Sequence, residues 1–309
     1  MVNLGDSQST EITIAIIGDV HDQWEAADNH ALENLPIDLA LFVGDFGNES
    51  VWVVEAIAKL NKPKAVILGN HDAWYSASEW GRKQSPYDHS QEDRVQQQLD
   101  LLGNAHVGYG YLDFPALGLA VVGARPFSWG SSEWRNQDFY QQRYGVGGFA
   151  ESAARITAAA AATNRKTIIL LGHNGPFGLG DRVDSPCGKD WRPEGGDFGD
   201  PDLTAAIAQT RSLGKQIPLV TFGHMHHNLR LSNQQRQITA IDEYGTVYVN
   251  AASVPRIKEL STGRARNFTL VTLRSGQVVQ AKIIWVDAKL AIVSETITYR
   301  QVATVDAET

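Results

Sequence analysis

Cysteine is all but missing from this chain, with Cys187 the only one among 309 residues. A lone thiol has no partner for an intrachain disulfide or a thiolate zinc site, so the fold holds without covalent staples and a reducing compartment is its natural setting. Long apolar runs are missing too. No stretch approaches the roughly 20 apolar residues of a membrane span, and the opening MVNLGDSQSTEITIAIIGD has neither a basic n-region nor a long enough apolar run for a secretory signal. Positive charge is in deficit: 27 Lys and Arg face 35 Asp and Glu, for a net charge of −8. That sign argues against a nucleic-acid polymer or an anionic membrane as partner. Internal repeats and linkers are also lacking. The expectation is a soluble cytoplasmic protein with one domain over residues 1–309, its 43% hydrophobic content enough for a sizeable core.

What the chain does have is a recurring rhythm, in which a short apolar run ends in a cluster of Asp, Asn and His. Residues 1–10 read as a polar tail. Residues 11–17 then run into Gly18-Asp19-Val20-His21, and 38–43 into Gly44-Asp45-Phe46-Gly47-Asn48. Residues 64–68 lead to Gly69-Asn70-His71-Asp72, 167–171 to Gly172-His173-Asn174-Gly175-Pro176, and 217–222 to Gly223-His224-Met225-His226. Between these runs, residues 22–35, 51–60, 151–163 and 201–210 have helical composition, the last with Pro201 in its first turn. Strands alternating with helices predict right-handed crossovers and a largely parallel sheet, which gathers ligands beyond the carboxyl ends of its strands. After residue 236 the pattern reads as a meander of strands, so a parallel half followed by a β-rich half predicts two sheets packed face to face. Residues 73–115, with a helix near 92–102, and residues 125–148 are aromatic-rich and read as cap-like insertions, and 177–200 as a long loop.

The polar clusters bring together Asp19, His21, Asp45, Asn70, His71, His173, His224 and His226. Their oxygen and imidazole donors, without sulfur, suit Mn, Fe, Zn or Co, and seven or more of them exceed what one tetrahedral zinc requires. A dinuclear site with a bridging carboxylate accounts for the number. Two metals so placed clamp the attacking and leaving oxygens of an in-line displacement, which is phosphoester chemistry. On a continuing strand, His224 and His226 would share a face and turn together toward the metals.

In order, GDVH, GDFGN, GNHD, GHNGP and GHMH resemble the five-part signature of the calcineurin-like metallophosphoesterases, over about residues 12–256 with VNAAS at 249–253. The resemblance implies a four-layer αββα sandwich, two mixed β-sheets flanked by helices, and a metal-dependent phosphoesterase. By the same resemblance Asp19, His21 and His226 hold one ion, Asn70, His173 and His224 the other, and Asp45 bridges them. The ions are two divalent or mixed-valence metals, manganese first, with iron or zinc as alternatives. A bridging hydroxide attacks phosphorus, and His71 donates a proton to the leaving group with Asp72 orienting its ring. GDFGNES and GNHD lack the Arg and Glu of the protein Ser/Thr phosphatases, which leaves phosphoprotein hydrolysis, and a catalytically weak metal or nucleotide sensor, as alternatives.

Substrate contacts are expected from Asn48 beside the metals, from Arg82, Arg125, Lys189, Arg192 and Arg256 in or near loops, and from Trp74, Tyr75, Trp129 and Trp191 as stacking faces. Aromatic density after Asp72 points to a capped pocket and a small phosphomonoester or phosphodiester such as a nucleotide. His227 would face away from His226, and His30, His89 and His106 read as surface or loop residues. The oligomeric state is left open.

Overall fold

In the computed structural model, residues 11–261 and 263–301 are described, so the polar tail read over residues 1–10 lies outside them. The apolar runs form strands β1 (Glu11–Ile17), β2 (Leu39–Phe42) and β3 (Lys64–Val66), with helices α1 (Ala26–Asn34) and α2 (Val51–Ala58) between them. Beyond β3 come α3 (Glu79–Lys83), α4 (Arg94–Leu102), β4 (Tyr111–Phe114), β5 (Leu119–Gly123), α5 (Gln137–Tyr144), α6 (Phe149–Ala162) and β6 (Thr167–Leu171). The chain continues through α7 (Pro201–Ser212), β7 (Gln216–Phe222), β8 (Thr239–Ile241), β9 (Val247–Asn250) and β10 (Ile257–Leu260). It closes with β11 (Gly263–Arg274), β12 (Gln277–Asp287) and β13 (Ile292–Arg300). Pro201 occupies the first turn of α7, where its missing N–H costs no helical hydrogen bond.

Two mixed sheets result. The first runs β13-β12-β11-β1-β2-β3, with β10 on β11, and the second β4-β5-β6-β7-β9-β8. β1, β2 and β3 are parallel, as are β5, β6, β7 and β9, while β11 joins β1 antiparallel with Ile14 opposite Val271. The expected split into a parallel half and a β-rich half is therefore corrected. β8 and β9 complete the second sheet and β10 to β13 extend the first, because β11 finds its partner in the chain's first strand.

Strand alternation explains the layers. Ile12, Ile14 and Ile16 of β1 face the second sheet, packing in one core with Val121, Ile169, Leu219 and Val249, while Ala15 and Ile17 face Leu32, Val54 and Ile57 of α1 and α2. The second sheet is covered on its other side by Ile156 and Ala160 of α6 and Leu203 and Ile207 of α7. Strands buried on both faces read as unbroken apolar runs, as β6 does. Full burial of each Ile contributes about 1.5–3 kcal/mol. The layers are helix, sheet, sheet, helix, as expected. Within residues 125–148, read as a cap-like insertion, α5 forms and buries Phe139 and Tyr140. No helix among the described residues is long and apolar enough to cross a membrane.

Candidate metal centre

All five polar clusters leave the C-terminal ends of β1, β2, β3, β6 and β7, the edge at which both sheets deliver their loops. Four of the donors bend sharply there: Asp19, His21, Asp45 and His224 have φ of 32°, 44°, 56° and 65°. Side chains in this left-handed region cost of order 1–3 kcal/mol each, which the surrounding fold must offset. The glycines beside them leave no room for a Cβ. One at Gly223 would sit 2.3 Å from Asp19 Oδ1, and one at Gly69 would sit 2.3 Å from Asp45 Oδ1 and 2.5 Å from His173 Cε1.

Because β7 ends at Phe222 and His224 is left-handed, the pair does not lie on one strand face as the spacing suggests. The two imidazoles instead part company. His226 Nε2 lies 3.1 Å from Asp19 Oδ2 and 3.1 Å from His21 Nε2. His224 Nδ1 lies 3.2 Å from His173 Nε2, which is 3.3 Å from Asp45 Oδ1 and 3.0 Å from Asn70 Oδ1. A third grouping of His21, Asp45 and His71 links the two, the donor atoms within each grouping falling within 4.8 Å of one another.

These residues fit a pair of cations. Two imidazole nitrogens facing each other at 3.1 or 3.2 Å can share at most one proton, yet here each pair also converges with a buried carboxylate. Asp19 Oδ2 is shut off from solvent without a well-oriented hydrogen bond. His173 Nδ1–H donates to Val43 O at 2.7 Å, which turns the lone pair of Nε2 toward Asp45 and Asn70. The backbone N–H of His224 donates to Asp19 Oδ1 at 3.0 Å and that of His71 to Asp45 Oδ1 at 2.8 Å, so each carboxylate is held by one oxygen.

Protonation follows the same arrangement. Burial alone would push Asp19 up, but His226, His173 and His21 outweigh it and hold the carboxyl well below its usual range. Burial opposes ionisation of Asp45 too, and His173 and His71 again prevail. His224 is pushed down to about 3 by burial and by His173, which leaves its ring neutral and its nitrogen free to ligate.

His71 is held by neighbours other than the expected one. Its Nδ1 lies 2.6 Å from Asn48 Oδ1, and its ring stacks on Trp74 at 4.5 Å and 15°. Trp74 stacks in turn on Trp129 at 5.2 Å. His71 Nε2 points into the centre, 3.9 Å from Asp45 Oδ2. Asp72 does not orient this ring, which corrects the role expected of it. Its buried carboxylate accepts the backbone N–H groups of Gly69, Asp45 and Phe46 at 2.7, 2.9 and 2.8 Å, tying the loop after β3 to the loop after β2.

Two of the expected substrate contacts are corrected as well. Arg125 is buried against Asp200 and Asp202 at 2.7 and 2.9 Å, with its guanidinium over Trp134. Arg256 is buried against Asp28 at 3.3 Å and lies over Trp24. Cations removed this far from water need carboxylate partners inside the fold, and these have them. Arg82 turns to Ser76 O. Lys189, Arg192, Trp129 and Trp191, by contrast, line a cleft of about 650 Å³ that opens from His224 and His226. His227 is buried, its Nε2–H donating to Asn250 O at 3.0 Å.

Glu49 escapes a sequence reading, since it sits in an unremarkable turn after Asn48. Its carboxylate accepts the N–H groups of Tyr75 and Ser76 at 2.8 and 2.7 Å and the hydroxyl of Tyr87, so it fastens the aromatic segment beside His71. Burial pushes its pKa up.

The family model described as calcineurin-like phosphoesterase matches residues 12–228. No curated protein matches the chain significantly. Among solved structures, one crystal structure superposes with a TM-score of 0.54 at 10% identity, covering 89% of this chain and 98% of its own. A protein of Thermus thermophilus gives 0.49 at 10% identity, over 94% of this chain and all of its own (100%). A dimetal phosphatase from Danio rerio gives 0.48 at 12% identity, over 94% and 99%. At 10% identity the likeness to the first of these is one of fold.

Proposed function

The chain belongs to the calcineurin-like phosphoesterase family and is a hydrolase, and from that premise we propose that it cleaves a small phosphomonoester or phosphodiester at the two linked donor groupings. Asp19, His21 and His226 would hold one ion, Asn70, His173 and His224 the other, and Asp45 both. Manganese suits these hard oxygen and imidazole donors, with iron or zinc as alternatives. A pair of bound ions supplies Lewis-acid charge to the phosphoryl oxygens and makes water acidic enough to attack near neutral pH.

The chain's own part is positioning and proton movement. Val43 O fixes the tautomer of His173, and the N–H groups of His71 and His224 fix the carboxylates. Asn48 Oδ1 accepts a hydrogen bond from His71 Nδ1–H, so a proton delivered to a leaving-group oxygen must come from Nε2 of the imidazolium. Burial lowers the pKa of His71, which makes that imidazolium a stronger acid. Trp74 and Trp129 wall off the same side. Cys187, buried and thiol, accords with a reducing cytoplasmic setting.

The observation that carries this reading is the meeting of His21, Asp45 and His71 between the other two groupings. Turnover of a chromogenic phosphomonoester and of the matching diester, measured after chelation and after readdition of each metal, tests it. Metal-restored hydrolysis of either ester is expected. Hydrolysis that persists at full rate in the chelated protein would remove the metals from the reaction.

A further inference from the structure

The cleft that opens from His224 and His226 has more cation than the reacting phosphate needs. Its wall can be followed ring by ring. Phe198 stacks parallel to His224 at 6.1 Å and 15°, Lys189 Nζ lies 5.7 Å from the Phe198 ring, and Trp191 meets that ring edge-on at 4.8 Å. Lys189 thus stands against the same aromatic ring as His224, and Arg192 lines the same cleft.

The acidic residues of the cleft are already engaged. Asp190 faces Arg236 at 3.3 Å and Arg230 at 3.8 Å, and Glu133 faces Arg135 at 3.7 Å. Among the described residues no carboxylate comes within 4.0 Å of Lys189 or Arg192, in a chain whose net charge is −8. Lys189 is half-buried, with Asp197 near enough to feel its charge but not in contact with it, and a partly buried cation without a contacting carboxylate favours an anionic ligand. Trp129 and Trp191 line the same cleft, and the indole N–H of Trp129 is buried without a partner. Ring faces beside paired cations suit a planar base carried on a phosphorylated sugar.

Resting on the phosphoesterase reading above, we infer that the substrate is a nucleotide with two separate phosphates. One lies at the donor groupings, the other lies against Lys189 and Arg192, and a sugar-sized spacer separates them. Phe198 packs against both His224 and Lys189, so the second anion is assigned to Lys189 and not to the donor groupings. Nucleoside bisphosphates carry two such phosphates on one sugar. The spacer holds the two anions apart while its base reaches Trp191 or Trp129.

Calorimetric binding of adenosine 3′,5′-bisphosphate and of adenosine 5′-monophosphate to the full chain tests this directly. The wild type is expected to bind the bisphosphate at least about 10-fold more tightly, and Lys189→Ala with Arg192→Ala to bring the two nucleotides within about 3-fold. Arg192→Ala alone, at an exposed side chain, is expected to give an intermediate ratio without affecting folding. Equal binding of the two nucleotides by the wild type, or a preference that survives the double variant, overturns the inference. Chromogenic-ester turnover in the same preparations reads the phosphoesterase claim separately. Ester turnover without a bisphosphate preference sinks only the inference about the cleft, and a preference without any turnover sinks only the hydrolytic reading.

Discussion

Asn48 Oδ1 and His71 Nδ1 lie 2.6 Å apart, and this contact sets which nitrogen of His71 faces Asp45. On the proposed mechanism Asn48 is a positioning residue that acts through the ring. Asn48→Ala is expected to lower kcat by about 10- to 100-fold while leaving KM within about 3-fold, and to change the alkaline limb of the pH–rate profile. Asn48→Asp, which keeps an acceptor oxygen, is expected to recover part of the loss. A structural role alone would move the melting temperature of Asn48→Ala and leave the pH profile in place.

His71→Ala would remove the proposed proton source and keep the proposed ligand sets of Asp19, His21, His226 and of Asn70, His173, His224. A loss of about 10² to 10⁴-fold in turnover with bound metal unchanged is the expected outcome. Full activity in that variant takes His71 out of the mechanism.

Asp72 acts on stability first. Three buried N–H groups depend on its carboxylate, and stranding them leaves the loops that carry Asp45 and Asn70 without their shared anchor. Asp72→Ala is expected to cost about 3–5 kcal/mol in denaturant unfolding. A midpoint indistinguishable from wild type would show that the loops hold without it.

His106 gives the fold an acid sensitivity of its own. Its Nε2 is buried without a partner, and burial pushes its pKa down to about 4 from 6.5. Between those values the unfolded chain binds more protons than the folded one, so stability is present above pH 6.5 and is lost as pH falls toward 4. His106→Gln is expected to lose about 1–2 kcal/mol less than wild type between pH 7.5 and pH 5, the ring's partial exposure reducing the full effect. His224 and His227 are also depressed by burial, but they are present in both proteins and cancel. Parallel stability curves for the two proteins would assign the acid sensitivity elsewhere.

Much of the centre was legible because its chemistry is written locally. A short β-branched run such as Ile14 to Ile17, bounded by Gly18, reads as a buried strand, and Asp19 and His21 follow it at once, so residue type and placement coincide within one stretch. What the sequence leaves hidden depends on partners far along the chain. Val271 opposite Ile14 decides which sheet receives the C-terminal strands. Asp200 and Asp202, from the start of α7, turn Arg125 from a loop cation into a buried one, as Asp28 does for Arg256. The role of Asp72 is hidden for another reason, since its partners are backbone N–H groups, which no residue type announces. The left-handed turn at His224 likewise overrides the strand periodicity that its spacing with His226 suggests.

On the proposed reading Asp45 would serve two ions at once, its Oδ1 beside His173 and its carboxylate also within reach of His21. Elemental analysis of the purified chain, paired with turnover of the preferred chromogenic ester, addresses it most directly in wild type and Asp45→Asn. The expected result is about two transition-metal ions per wild-type chain, fewer in Asp45→Asn, and a turnover loss of at least about 10²-fold in the variant. One ion per wild-type chain with Asp45→Asn still active would contradict the shared carboxylate and the two-ion centre built on it.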